Sequence, residues 1–241
     1  VAHVFFDLDR TLWHHERNHA VFFTELHAEL GLPGLAKDWA SNYLAINDRL
    51  WDHIQLHNLG VEFVRARRFA LLFSEMNLPV GSAKEVERLS AHCEAQIKQR
   101  LPDLGEGYEG VNEAFAALHS AGHQLHILTN GVREPQVRKI AALGLAEYLN
   151  ELVTSDLARA FKPDPKIFTY ALRRVGAEPS KAWMVGDSVL RDVLGGQGVG
   201  MRTAWFCAPD ALPPDAEGRA DVEFSDWQRF PEQLQAAMDR S

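Results

Sequence analysis

The chain has 241 residues, 46% of them hydrophobic, enough for one large domain or two smaller ones with buried cores. Lysine and arginine total 25 against 33 aspartates and glutamates, and the formal charge of -8 gives no bulk attraction to a nucleic-acid polymer or an anionic membrane. Cys93 and Cys207 lie far apart without metal-ligand spacing, so unpaired thiols in a reducing compartment are expected. No apolar run approaches the length of a membrane span, and the first residues run straight into a strand pattern without a cleavable signal, so the expected location is cytoplasmic.

Val4-Phe5-Phe6 is a short apolar, β-favouring run, followed by Asp7, Asp9 and Thr11. Two acids at the end of a buried strand are costly unless their charge is compensated, and a divalent metal on oxygen ligands is the cheapest compensation at neutral pH. Taken alone, Asp-x-Asp is equally an acidic turn. From Asn18 to Arg100 the pattern is helical, with apolar residues three and four apart: Val21, Phe22, Leu26 and Leu30, then Tyr43, Leu44, Leu50, Trp51 and Ile54. Gly31-Leu32-Pro33-Gly34 stops the first helix. Val61–Met76 and Ser82–Leu101 read as two more, with Ser82 as N-cap and Glu85 three residues on. A long helical block after one lone strand marks an insertion.

From Val111 the chain alternates. A helix at Val111–Ala121 precedes a strand at Gln124–Leu128, which ends in Thr129-Asn130-Gly131. A helix at Gln136–Leu143, a strand at Glu151–Thr154 and a helix at Asp164–Val175, after Lys162-Pro163, follow. The strand Ala182–Val185 ends in Gly186-Asp187-Ser188, and a helix spans Val189–Leu194. Strands at Arg202–Phe206 and Val222–Phe224 and a helix at Pro231–Met238 complete the chain. This alternation predicts an α/β, Rossmann-like, mostly parallel sheet covered on both faces, which binds ligands beyond the carboxyl ends of its strands. Asp7, Asp9, Thr129, Asn130 and Asp187 then meet on one edge.

Each signal has a plainer reading by itself. Thr-Asn-Gly is a common turn, Lys162-Pro163 a solvated lysine before a helix, and Gly186-Asp187-Ser188 a helix cap. Those readings do not explain why all fall at one sheet edge. Gly196-Gln197-Gly198-Val199-Gly200 follows a helix and precedes a strand, the reverse of a dinucleotide fingerprint, and reads as a helix stop. The 11 histidines, among them His14, His15, His119, His123 and His126, lack partners at metal spacing and are expected on the surface or in packing. Trp51 and Phe69 read as interior residues of the helical block before they read as base-stacking platforms.

The ordered set of Asp7-Leu8-Asp9-Arg10-Thr11, Thr129-Asn130-Gly131, Lys162-Pro163 and Gly186-Asp187-Ser188 with Asp192 resembles the haloacid dehalogenase superfamily. The resemblance makes residues 1–13 and 105–241 a catalytic core and residues 14–104 an inserted α-helical cap of the family's first type. Ile46-Asn47, Leu50-Trp51 and Arg67-Arg68-Phe69 are similar to the subgroup acting on pyrimidine 5′-monophosphates. So are Ile127–Gly131 with Val137-Arg138, and Met184–Ser188 with Gly195-Gly196. Arg10 departs from the family, which more often has Gly or Glu there.

The resemblance implies a magnesium-dependent phosphatase acting on a small phosphorylated metabolite, with nucleoside 5′-monophosphates favoured. The alternative is a sugar-phosphate phosphatase or phosphomutase built on the same core. A dehalogenase would lack the second acid, which is present as Asp9. A signalling receiver domain also gathers acids and a lysine at a sheet edge, but carries its phosphorylated Asp on a later strand and no such insertion. Asp7 is implied as nucleophile, forming an aspartyl-phosphate. A carboxylate approaching phosphate meets repulsion of about 4 kcal/mol at 4 Å in an effective dielectric near 20. The implied Mg2+ ligands are the Asp7 side chain, the Asp9 backbone carbonyl and Asp187, with Asp192 behind them or acting through a water. Asp9 fits the general acid and base. Thr129 and the Asn130 amide would hold the phosphate, and Lys162 would supply the remaining positive charge. Arg10, Arg67 and Arg68 are candidate substrate contacts by position and charge.

Overall fold

The computed structural model describes residues 1–208 and 220–240. The chain divides into two compact units, His15–Leu104 and Val1–His14 with Gly105–Ser241.

The first of these is wholly helical among its described residues: α1 (His15–Leu30), α2 (Ala36–His57), α3 (Glu62–Arg65), α4 (Arg68–Glu75) and α5 (Ala83–Arg100). On α2, Trp39, Tyr43, Ile46, Leu50 and Ile54 form one buried stripe at helical spacing. Tyr43 packs its ring 4.7 Å from Phe23 and 5.4 Å from Phe69. Ser82 caps α5 by accepting from the Glu85 N–H, and Leu89, Cys93 and Ile97 bury its inner face.

The helix expected over Val61–Met76 is broken in two. The Arg67 guanidinium donates to the Phe63 carbonyl at 3.2 Å and lies 3.7 Å over the Phe63 ring, closing the end of α3. The restart turns Arg68 inward, where it forks onto Glu94 at 2.8 and 2.6 Å and donates to Asn47 Oδ1 at 3.2 Å. Arg68, a candidate substrate contact by sequence, is thus committed to an ion pair inside its own unit. Phe69 is buried in the same interior, and Trp51 is half-buried.

The other unit is built on β1 (His3–Phe6), β2 (Gln124–Thr129), β3 (Leu149–Thr154), β4 (Ala182–Gly186), β5 (Arg202–Phe206) and β6 (Val222–Phe224). Their order is β3-β2-β1-β4-β5-β6, and every pair is parallel. Its helices are α6 (Val111–Ser120), α7 (Arg133–Ala142), α8 (Ser155–Ala158), α9 (Pro165–Val175), α10 (Gly195–Gln197) and α11 (Phe230–Met238). Central β1 is buried on both sides, which is why it reads as a continuous apolar run. Its side chains alternate: Phe5 joins Leu128, Val153, Met184, Ile167 and Phe168 on one face. Phe6 meets Phe115 at 4.7 Å and Trp227 at 6.1 Å on the other. The chain runs outward from β1 to β3, then returns to β4 on the opposite side of β1. The reversal lies between β1 and β4, where α/β sheets open a crevice at the carboxyl ends of the strands.

Candidate active site

Asp7 follows β1, and its N–H donates to the Val185 carbonyl at 2.8 Å, extending the ladder with β4 by one residue. Asp187 follows β4 on the other side of the reversal, so the two carboxylates face one crevice. Asp192 joins them: one oxygen from each of Asp7, Asp187 and Asp192 lies within 4.8 Å of the others.

Asp192 reaches back because Val189–Leu194 is a π-helical turn, not the α-helix expected. Its second oxygen accepts from the Ser188 N–H at 3.0 Å. A Cβ on Gly186 would fall 2.3 Å from the Asp192 carboxyl carbon, so the glycine is what admits this close turn. Thr11 holds Asp187 reciprocally, donating its hydroxyl to Oδ1 at 3.2 Å and accepting the Asp187 N–H at 3.1 Å. The Trp205 indole N–H donates to the Asp187 carbonyl at 2.9 Å.

Lys162 is buried among these acids, its ammonium 2.7 Å from Asp7 Oδ1 and 2.6 Å from Asp192 Oδ1. Burial works against its charge, but Asp192 and Asp7 outweigh that and hold its pKa above the usual lysine value. Lys162 pairs with two of the three carboxylates, and Arg191 and Arg10 only partly offset the charge of the third, Asp187. Burial pushes Asp7 up to about 6 although Lys162 opposes it. Burial, then Asp7 and Asp192, push Asp187 up to about 8. A buried, oxygen-only donor set with this surplus of negative charge fits a hard divalent cation such as Mg2+.

Thr129 ends β2. Its Oγ1 accepts from the Gly131 N–H at 3.1 Å and the Gln136 amide at 3.4 Å. With both acceptor positions taken, the hydroxyl proton is left to be donated. Asn130 turns its side chain onto the Lys162 backbone, and Ser155 Oγ donates to the Asn130 carbonyl at 2.8 Å.

Asp9 stands apart from the three-acid cluster. Its Oδ1 accepts from the Lys139 ammonium and its Oδ2 from the Gln136 amide at 2.9 Å. Gln136, Lys139, Thr11 and Ser155 have no assigned role in the sequence reading. The helix that carries the first two, α7, starts at Arg133 and not at Gln136, with Pro135 tolerated in its first turn, but what marks them is a partner, Asp9, 127 and 130 residues away in sequence. Gln136 and Lys139, three apart on α7, share a face. Arg10 carries a φ of 65°, a left-handed conformation that suits the glycine more usual there. The histidines of this unit pack: His14 stacks on Tyr108 at 4.4 Å, and His126 is fully buried beside Phe5.

The family described as haloacid dehalogenase-like hydrolase matches residues 1–200. The chain is 27% identical over 202 residues to the pyrimidine 5′-nucleotidase PynA of Streptococcus pneumoniae, across 83% of this chain and 81% of that one. It is 29% identical over 216 residues to the pyrimidine 5′-nucleotidase YjjG of Escherichia coli, across 88% of each. The solved structure of Bacillus subtilis YfnB, bound to magnesium, shares the fold with a TM-score of 0.82 at 22% identity, over 97% of this chain and 98% of that one.

Proposed function

The chain belongs to the haloacid dehalogenase-like hydrolases, and from that premise we propose a magnesium-dependent phosphatase that cleaves a nucleoside 5′-monophosphate through an aspartyl-phosphate on Asp7. The observation that carries the proposal is the meeting of Asp7, Asp187 and Asp192 around buried Lys162 at the sheet's reversal point. A magnesium ion on Asp7, Asp187 and the Asp9 carbonyl, with Asp192 behind, would offset the charge between nucleophile and phosphate.

Asp7 attacks phosphorus while the bond to the ester oxygen breaks. Asp9 gives that oxygen its proton, and the alcohol leaves. Asp9 then takes a proton from water, whose oxygen attacks phosphorus and frees Asp7. Lys162 fixes the orientation of the Asp7 carboxylate, and Thr129 donates its remaining proton to a phosphate oxygen, with the Asn130 N–H beside it. Two relatives named as pyrimidine 5′-nucleotidases support the nucleotide. No described helix is long and apolar enough to cross a membrane.

The test is release of inorganic phosphate from a panel of nucleoside 5′-monophosphates and sugar phosphates, with and without magnesium. Expected are a higher kcat/KM on pyrimidine nucleotides, dependence on magnesium, and loss of turnover in Asp7→Asn. Preference for sugar phosphates would overturn the nucleotide assignment. No release from any ester would overturn the phosphatase itself.

A further inference from the structure

We infer that Gln136 and Lys139 are positioning residues for Asp9, each gripping one carboxylate oxygen, and that Gly131 makes room for the grip. The inference rests on reading Asp9 as the proton donor and acceptor of the reaction.

Lys139 donates to Oδ1 of Asp9 and Gln136 to Oδ2. Both donors are buried, at 7% and 2% exposure, and lysine is seldom so buried without a dedicated partner. The Lys139 ammonium also sits 4.0 Å from the ring centroid of Trp13, itself fully buried, so its head is held from two sides. Gly131 supplies an independent observation. Its φ is not in the left-handed region, so turn geometry does not call for glycine. A Cβ there would fall 1.7 Å from the Gln136 amide nitrogen. The glycine is needed because the amide passes over it on its way to Asp9.

An aspartate has two side-chain torsions, and a donor on each oxygen fixes both. The reaction uses this orientation twice, first when the alcohol departs and again when water enters. Loss of alignment at a proton-transferring group lowers turnover without weakening substrate binding.

The test compares cytidine 5′-monophosphate, whose alkoxide leaving group needs a proton, with 4-nitrophenyl phosphate, whose phenolate leaves without one. Lys139→Met and Gln136→Leu are expected to lower kcat about tenfold on the nucleotide and about twofold on the aryl ester, a fraction of a full acid–base contribution, with KM unchanged. Gly131→Ala should reproduce Gln136→Leu, and Lys139→Arg should recover most of the loss. Equal losses on both substrates, or a change confined to KM, would overturn the inference. Asp9→Asn separates the two levels. If it too shows no greater loss on the nucleotide, the acid role of Asp9 fails. If it does and the Lys139 and Gln136 variants do not, only the positioning role fails. Circular dichroism and melting identify any variant that does not fold, and either of the other two then carries the comparison.

Discussion

The side-chain amide of Asn130 closes on the backbone of Lys162 from both ends. Its oxygen accepts the Lys162 N–H at 2.6 Å, and its nitrogen donates to the Lys162 carbonyl at 3.0 Å. The residue after β2 thereby fixes the residue whose ammonium divides Asp7 from Asp192. Asn130→Leu keeps similar bulk but leaves both backbone groups unpaired. The expected cost is about 2 kcal/mol of stability, read from denaturant unfolding, with a lower kcat because Lys162 loses its anchor. A variant with unchanged unfolding and unchanged kcat would remove Asn130 from this role.

On the proposed metal site, magnesium affinity and the acid cluster's contribution to stability respond to pH in opposite directions. Asp187, pushed up to about 8, and Asp7, pushed up to about 6, hold protons in the folded, metal-free protein that the unfolded chain has already released. Folded protein binding more protons at these two sites means that, in the presence of a chelator, their contribution to stability falls as pH rises from about 4 through about 8. Magnesium must displace those protons, so its affinity should rise over the same range, by up to about tenfold per pH unit for each proton released. Calorimetric titration at pH 7 in buffers of different ionisation enthalpy should register proton release, and Asp187→Asn should reduce it. Magnesium binding without proton release would contradict this electrostatic picture.

The parts of the site legible in the sequence are those dictated locally. Buried parallel strands show as apolar runs, and Asp7, Thr129 and Asp187 sit where those runs stop, so their meeting follows from strand direction alone. The parts that were not legible depend on distant partners. The break before Arg68 combines the local Arg67 clasp on Phe63 with the contact from Arg68 to Glu94, 26 residues on. The π-helical turn is set by Asp192 folding onto Gly186 and Lys162. The grip on Asp9 comes from a helix 127 and 130 residues away in sequence. Helical periodicity carries no trace of any of these.

His126 should govern the acid sensitivity of the sheet. It is fully buried on β2 and shares a 3.1 Å hydrogen bond with His3, while its Nδ1 has no partner among the described residues. Burial, and to a lesser degree His3, lower its pKa from the usual 6.5 to about 4. The unfolded chain takes up a proton below about 6.5 and the folded one only below about 4. The His126 contribution to stability therefore drops as pH falls through that interval, by at most about 3 kcal/mol, against the opposite contribution of the acid cluster over the same range. His126→Leu should flatten the pH 6.5 to 4 segment of a stability profile measured by denaturant unfolding. An unchanged slope would show that other groups set the acid limb.

Arg68 provides the converse test, because its charge invites a substrate role that its contacts oppose. It forks onto Glu94, and the two side chains are only 12% and 19% exposed. Arg68→Met keeps the apolar stem beside Tyr43 but leaves the half-buried Glu94 carboxylate with only Arg65 at 4.0 Å, and the expected cost is about 2 kcal/mol, below the roughly 3–5 kcal/mol of a fully buried pair broken from one side. Adding Glu94→Gln removes the stranded charge and should restore much of the loss, since an ion pair replaced at both ends is often close to neutral. The expected result is a drop in unfolding midpoint for Arg68→Met and a partial recovery in the double variant. In the folded protein KM for the nucleotide should stay within about threefold, far from the loss that a missing charge-assisted contact to phosphate would produce. A raised KM with an unchanged unfolding midpoint would return Arg68 to the substrate.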